Sequence, residues 1–157
     1  MRLCYNFSVE YKFIADDMLG KLARRLRMMG FDVTYPNTSA DSLLLRLSRE
    51  EDRIILTRDR GLSQVRGSRV FLLSSTDLSE QLQEVLTRLK LRTDPAKMFT
   101  RCPVCNGELK KTKKEEIKAK VPPRVYRTFD DFTTCSRCDK VYWKGTHYEK
   151  IVKDMPT

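Results

Sequence analysis

The sequence has no long apolar run. Nothing in its 157 residues approaches the roughly 18 to 20 consecutive apolar residues that a membrane-spanning helix requires. The first stretch, Met1–Lys12, also lacks the apolar core of a secretory signal peptide. We therefore expect a cytoplasmic protein without a membrane partner. The length suits one domain of ordinary size, or a domain of about a hundred residues followed by a small unit that needs a bound metal or a cross-link of its own to fold.

Acidic residues are scarce relative to basic ones. The chain carries 21 Asp and Glu against 31 Lys and Arg, which gives a net charge of +10. This excess favours a polyanionic partner, nucleic acid first, because neutralising phosphates releases counterions and a positive field steers anions from a distance. A surface rich in ion pairs would explain the number of charges but not their one-sided sign.

The five cysteines do not indicate disulfides, which are rare in cytosolic proteins. Four of them form two Cys-x-x-Cys pairs, Cys102 with Cys105 and Cys135 with Cys138. Each pair places two thiolates on one turn, and two pairs complete a tetrahedral Zn²⁺ site of the zinc-ribbon type. Four thiolates leave no open position, so we expect the zinc to be structural. Cys4 is left over, and we interpret it as incidental.

The chain before this site alternates between strand and helix patterns. Strands are predicted at Tyr11–Ala15, Phe31–Tyr35, Ile54–Leu56 and Val70–Leu73, and helices at Met18–Met29, from the N-cap Ser39 to Glu51, and from Asp77 or Ser79 to Leu89. Right-handed crossovers would build this order into an α/β fold, a mostly parallel sheet flanked by helices. Pro95–Phe99 marks a boundary between a domain at 1–97 and a zinc-ribbon domain at 98–157.

Acids follow the predicted strands. Asp16, Asp59 and Asp77 each come directly after one, and Asp41 lies in the first turn of a helix. Ligands of open α/β sheets bind outside the carboxyl ends of the strands, so these carboxylates can converge there on Mg²⁺ or Mn²⁺, which prefer oxygen ligands. The plainer alternative is local: Asp59 caps a turn, Asp16 or Asp17 caps the next helix, and Asp41 stabilises a helix dipole.

Two stretches are basic. The first predicted helix carries Lys21, Arg24 and Arg25, with Arg27 on the flank and no acid between them. An insert between the cysteine pairs contains six lysines: Lys110, Lys111, Lys113, Lys114, Lys118 and Lys120. Bases without interleaved aromatics fit phosphate contact better than base stacking. A solvated helix face and a solvated loop are the alternatives.

These motifs together resemble a known family. The segments Phe13-Ile-Ala-Asp16, Met18-Leu-Gly-Lys-Leu-Ala-Arg24, Leu56-Thr-Arg-Asp59-Arg, Arg101-Cys-Pro-Val-Cys-Asn106 and Tyr142-Trp-Lys-Gly-Thr-His147 resemble the Mut-seven carboxy-terminal ribonuclease domain family. The resemblance covers residues 12 to 151. It implies a PIN-like nuclease fold followed by a zinc ribbon, in the freestanding prokaryotic form rather than as a piece of a larger exonuclease.

The resemblance implies roles for the acids. Asp16 and Asp59 fall in the Mg²⁺ or Mn²⁺ site, while Asp41 matches the helical acid of the family and Asp77 its last acid. The family varies at Asp17, and its motif favours Asp16 over this neighbour.

The resemblance also implies contacts to the substrate. Lys21, Arg24 and Arg58 are candidates for holding phosphates. His147, the only histidine, matches the family's Gly-Ser-His, with Thr146 in place of the serine. We expect His147 to make a structural hydrogen bond; contact with a substrate phosphate is the alternative.

The implied reaction is hydrolysis of RNA phosphodiester bonds. One or two divalent ions would activate a water for in-line attack and stabilise the leaving 3′ oxygen, giving a 5′-phosphate. Endonucleolytic cutting of single-stranded RNA is expected, with structured RNA, tRNA or the ribosome as further partners. The alternative is a non-catalytic RNA- or ribosome-binding adaptor in which the basic zinc ribbon binds and the carboxylates are vestigial.

Overall fold

A computed structural model of the chain describes residues 11–38 and 40–154, without the side chain of His147. Cys4, Ser39 as a predicted N-cap, and the expectations for the His147 side chain lie outside this part. None of the helices in the described ranges is long and apolar enough to cross a membrane.

The first half alternates strands and helices. Its strands are β1 (Lys12–Ala15), β2 (Asp32–Thr34), β3 (Ile54–Thr57) and β4 (Val70–Leu72), and its helices are α1 (Gly20–Met28), α2 (Asp41–Glu50), α3 (Arg60–Ser63) and α4 (Leu78–Arg88). A 3₁₀ turn, Asp17–Leu19, leads into α1. All four strands are parallel, in the order β2-β1-β3-β4, which confirms the predicted α/β sheet.

The sheet is buried on both faces because its central strands carry apolar side chains on both sides, as is typical of parallel sheets. Phe13, Ala15 and Leu56 pack in the core shared with α1 and α4. Ile14 and Ile55 pack on the opposite face, against α2 and α3. Since side chains alternate along a strand, this pattern also sets the side on which the residues at each strand end project.

The second half is built on an antiparallel sheet. Its strands β5 (Leu109–Thr112), β6 (Phe132–Cys135) and β7 (Val141–Trp143) lie in that order, and its helices are α5 (Pro123–Thr128) and α6 (Thr146–Lys153). The strands β5 and β6 pair with each other and enclose the insert between the cysteine pairs. This insert is folded rather than a solvated loop, because Ile117 and Val121 pack with Phe132 in a small core.

Helix α6 returns to the first half of the chain. Ile151 packs against the core between the parallel sheet and α1. The rings of Tyr148 and Phe99 also pack together, with centroids 4.3 Å apart. The contact of Ile151 crosses the predicted boundary, and the division into domains at 1–97 and 98–157 stays a prediction.

Candidate active site and metal centre

Asp16 is buried at the end of β1. It is 5% exposed; its Oδ2 accepts a hydrogen bond from Thr57 Oγ1 at 2.6 Å, and its Oδ1 accepts one from the backbone N–H of Asp17 at 2.6 Å. Burial raises the pKa of this carboxyl, and the hydrogen bond from Thr57 opposes the rise. Asp16 is therefore a fixed carboxylate whose ionised form a nearby cation would favour.

The hydroxyl of Thr57 joins the ends of the two central strands. It donates to Asp16 and accepts the backbone N–H of Asp59 at 2.9 Å. Asp16 Oδ2 and Asp59 N are therefore at most about 5.5 Å apart, the sum of the two hydrogen-bond lengths. Sequence reasoning missed Thr57. Its position two residues after Ile55, at the end of a buried strand and on the same face, could have indicated it.

Asp59 lies exposed at the same edge of the sheet. It is the N-cap of α3, and its Oδ1 accepts the backbone N–H of Gly61 at 2.6 Å. The local explanation, a cap, is thus part of the structure. Among the described residues no hydrogen bond or ion pair involves the second carboxylate oxygen of Asp59, which leaves that oxygen available to a ligand.

The two remaining acids lie on opposite sides of the sheet. Asp41 is the exposed first residue of α2, and Asp77 is the N-cap of α4, accepting from the backbone N–H groups of Ser79 and Glu80 at 2.9 and 3.0 Å. Asp77 does not directly follow a strand as predicted, because β4 ends at Leu72 and a loop intervenes. Asp41 and Asp59 thus begin helices on the face toward which Asp16 projects, and Asp77 begins one on the other face.

The aspartates do not form a compact group. In the ranges 11–38 and 40–154, the only set of three or more His, Cys, Asp or Glu side chains that could hold a metal ion consists of cysteines. Mg²⁺ is commonly held by one or two carboxylates together with waters and substrate phosphates. A site built on two of the aspartates is therefore compatible with this arrangement.

The predicted phosphate contacts lie at or beside this edge. Lys21 and Arg24 are exposed on α1, and Arg58 is half-buried between Thr57 and Asp59. Lys21, Arg24 and Arg58 form no ion pair with another described residue. Their cationic groups are thus available for an anionic ligand.

The side chain of Arg27 is buried, contrary to the prediction. It is 5% exposed instead of lying on the flank of a solvent-facing surface, because it follows the buried Ala23 by one helical turn. Its Nε donates to the carbonyl of Val33 at 2.8 Å, and its Nη1 to those of Pro103 and Val104 at 3.1 and 3.0 Å. Burial lowers the pKa of Arg27. This guanidinium is a structural link and not a phosphate ligand.

The second site is formed by the thiols of Cys102, Cys105, Cys135 and Cys138. Their sulfurs all lie within 4.8 Å of one another, with 3.7 Å between Cys102 and Cys138 and 3.3 Å between Cys105 and Cys135. Four thiolates at about 2.3 Å from a tetrahedral Zn²⁺ lie about 3.8 Å apart. The donor set and its spacing fit a structural zinc ion.

The two Cys-x-x-Cys turns are built alike. The residue after each second cysteine, Asn106 or Asp139, has a positive φ, 66° and 56° respectively. Its N–H donates to the carbonyl of the first cysteine in the turn, at 2.9 and 3.1 Å. Gly107 follows in the first turn, where a Cβ would lie 2.9 Å from Cys135 Sγ. The close approach of the thiols therefore calls for glycine at this position.

Tyr142 supports the cysteine site from β7. Its Oη lies 3.0 Å from Cys102 Sγ. Burial acts to raise the pKa of Cys102, but hydrogen bonds from Tyr142 and from the backbone of Cys105 and Val104 outweigh it and lower the pKa to about 7. Cys102 is thus favoured as the thiolate that zinc requires, whereas burial raises the pKa of Cys105 and of Cys138.

Comparison with known proteins agrees with these features. Residues 11–155 match the family described as the Mut7-C RNAse domain. The chain belongs to that family. Over 102 residues this Mut7-C chain is 30% identical to a human protein named "Exonuclease mut-7 homolog", an alignment that covers 61% of the chain and 12% of that protein. No solved structure matches the chain. Membership of the Mut7-C family confirms the resemblance seen in the motifs.

Proposed function

We propose that this Mut7-C chain is a divalent-metal-dependent ribonuclease that acts at the carboxyl edge of its parallel sheet. The observation that carries the proposal is the juxtaposition of Asp16 and Asp59, which follow neighbouring central strands and share the hydroxyl of Thr57. Acids at the carboxyl ends of central strands are well placed for chemistry in an open α/β sheet.

Asp16 and Asp59 are the residues that would hold Mg²⁺ or Mn²⁺. Such an ion, when bound, stabilises charge on phosphate oxygens and lowers the pKa of a bound water. Thr57 keeps the Asp16 carboxylate in place, and Asp41 begins a helix on the same face. We retain Asp77 as the fourth acid of the family pattern, in a supporting role, since it begins a helix on the opposite face.

The expected substrate is single-stranded RNA, cut internally, with structured RNA, tRNA or the ribosome as further partners. Lys21, Arg24 and Arg58 would bind its phosphates, and the net charge of +10 would draw it toward the protein. We assign a PIN-like nuclease role to residues 1–97 and a structural zinc ribbon to residues 98–157. The four free cysteines suit the reducing cytoplasm.

The test compares cleavage of a labelled single-stranded RNA by wild type, Asp16→Asn and Asp59→Asn, with Mg²⁺, Mn²⁺ or a chelator. We expect wild type to cut only with a divalent ion, and both variants to bind RNA without cutting it. Asp131→Asn is the matched control, because Asp131 is an exposed acid in the second half of the chain. Cleavage that survives both Asp16→Asn and Asp59→Asn would overturn the proposal.

A non-catalytic RNA-binding adaptor is the second candidate. Five lysines of the insert are exposed to solvent: Lys110, Lys111, Lys113, Lys118 and Lys120. Lys114 differs from them, since its Nζ lies 2.7 Å from Asp130 Oδ1 and over the ring of Tyr126. An adaptor predicts RNA binding that depends on these exposed lysines, together with no cleavage under any divalent ion.

A further inference from the structure

Tyr35 lies at the same edge of the sheet as Asp16. It follows β2 directly, and the register that pairs Ile14 with Thr34 places it beside Ala15. Its half-buried side chain packs against the core on the α1 face. Asp16 projects toward the α2 and α3 face, so the ring and the carboxylate flank the strand ends from opposite sides.

Close contacts hold the ring of Tyr35 in one position. Its hydroxyl donates to the carbonyl of Asp17 at 2.6 Å and lies 3.1 Å from Asn37 Oδ1. A Cβ at Gly20 would lie 3.0 Å from Tyr35 Oη and 3.1 Å from Cζ. Gly20 has a φ of −58°, which any residue can adopt. Glycine is therefore required here because the ring of Tyr35 approaches closely, not because of the backbone conformation. A ring fixed in this way loses little conformational entropy when a ligand stacks on it.

Met18 is an exposed apolar side chain in the same turn. It is 52% exposed, the highest value among the large apolar side chains of the described ranges. It directly follows Asp17, whose carbonyl receives the hydroxyl of Tyr35, and precedes the start of α1. This polarisable thioether contributes little to the core and lies at the surface beside the candidate active edge.

We propose that Tyr35 and Met18 form a stacking platform for a nucleobase of the RNA strand whose phosphate lies at Asp16. The inference rests on the proposed function and deepens it by naming how a base is held. Unstacked bases of single strands bind on aromatic side chains regardless of sequence, because every base has a π face. Lys21, in the first turn of α1, is then placed for a neighbouring phosphate. Bases inside a duplex are not available to such a platform, so the occupant is single-stranded RNA.

The test measures binding without cleavage, in chelator, using single-stranded RNA that carries 2-aminopurine. Stacking on wild type should quench its fluorescence. Tyr35→Leu should weaken binding about 5- to 100-fold and abolish the quenching, whereas Tyr35→Phe keeps the ring and most of the affinity. Met18→Ala should reduce the quenching, and affinity for duplex RNA should be the same for all variants. Tyr11→Leu is the matched control, because Tyr11 precedes β1 at the opposite edge of the sheet.

Absence of quenching on wild type overturns the platform whatever the variants do, and so does a folded Tyr35→Leu protein that binds and quenches like Tyr11→Leu. Thermal unfolding establishes that each variant is folded, and the exposed Met18→Ala provides the test if Tyr35→Leu is not. Failure of the ribonuclease proposal is distinguishable: wild type would then cut nothing, while Tyr35→Leu would still lose binding and quenching in chelator.

Discussion

At the scale of the residue, the hydroxyl of Thr57 links Asp16 to Asp59 at the candidate active edge. Thr57 is fully buried, and removing its hydroxyl leaves Asp16 Oδ2 and the N–H of Asp59 each without a partner. We expect Thr57→Val to lower the free energy of unfolding by about 1 to 3 kcal/mol. Urea unfolding measures this, with Thr57→Ser as the control that keeps the hydroxyl. Equal stability of the two variants would contradict the link.

The same substitution should affect cleavage. Groups that orient a metal ligand typically change metal affinity or activity by about 10- to 100-fold when they are removed. We therefore expect Thr57→Val to need more Mg²⁺ or Mn²⁺ for half-maximal cleavage, whereas Thr57→Ser should resemble wild type. A metal titration of the cleavage rate measures this shift. Identical titrations for the two variants would mean that the hydroxyl does not position Asp16 for a metal.

Asp16 makes stability depend on pH. Burial raises the pKa of Asp16 above its ordinary value of 3.8, so the folded state holds the proton more tightly than the unfolded chain. The resulting stabilisation is complete below that ordinary value and is lost as the pH rises through the raised pKa. We expect Asp16→Asn to remove this dependence on pH, because an amide does not titrate. Unfolding measured from acidic to neutral pH tests it; an unchanged slope, or an equal effect of Asp131→Asn, would contradict it.

Single residues were predictable where an apolar run determines their place. The positions of Asp16 and Asp59 at the edge of the sheet were predictable because buried strands end just before them. Thr57 was missed because the strand pattern gives its position and its face but not the two hydrogen bonds that its hydroxyl makes, to Asp16 and Asp59. Arg27 was misjudged because helical periodicity cannot reveal that carbonyls from a distant turn, those of Pro103 and Val104, receive its guanidinium.

At the scale of the element, the geometry of the first Cys-x-x-Cys turn requires glycine at position 107. At Gly107 a Cβ would lie 2.9 Å from Cys135 Sγ and 2.9 Å from Arg137 Cβ. We expect Gly107→Ala to displace a thiol and weaken zinc retention by about tenfold or more, the size of effect seen when groups around metal ligands are changed. Competition with a zinc chelator measures it, with Ser136→Ala in the other turn as the control. Equal retention by both variants would show that the turn accommodates a side chain.

Helices and strands were easier to predict when their apolar pattern was longer. The strands of the parallel sheet and helices α1, α2 and α4 have apolar periods that span the whole element. Helix α3 was missed because four residues cannot display a helical period, and it depends on the cap from Asp59. The folded insert was also missed, since Ile117 and Val121 are isolated among lysines and acquire a core only against β6.

The two halves of the molecule are joined by a buried polar network at the edge strand β2. Asn106 Oδ1 accepts the N–H of Val33 at 3.1 Å, and Asn106 Nδ2 donates to Asp32 Oδ1 at 2.7 Å. Arg53 Nη1 donates to Asp32 at 2.8 Å and to the carbonyl of Phe13 at 3.2 Å. Burial acts to raise the pKa of Asp32, but Arg53 and Asn106 outweigh it and lower the pKa. The cysteine turn thus covers an edge that would otherwise expose backbone donors.

At the scale of the whole molecule, the substitution Asn106→Gly measures how much this polar network contributes to stability. Glycine accepts the positive φ of 66° without strain, so the substitution removes the side-chain hydrogen bonds while leaving the turn its conformation. We expect a loss of about 2 to 3 kcal/mol in the free energy of unfolding, since a buried N–H and a carboxylate oxygen each lose a partner. Chemical denaturation measures it. The control is Asp139→Gly, which occupies the equivalent, exposed position of the second turn and should change stability little.

Removal of zinc should destabilise the parallel sheet, because the hydrogen bonds between the cysteine turn and the sheet would be weakened. The thiols of Cys102 and Cys105 would no longer be crosslinked to the second turn, so the carbonyls that bind Arg27 and the side chain that binds Val33 would lose their fixed positions. We expect a chelator to lower the stability of both halves in one cooperative transition and to speed hydrogen exchange at the Val33 amide far more than at Leu82, in α4. Exchange followed by mass spectrometry, with and without zinc, measures both amides. Two separate transitions with an unchanged Val33 would mean that the ribbon folds independently of the sheet it covers, and that zinc stabilises the ribbon alone.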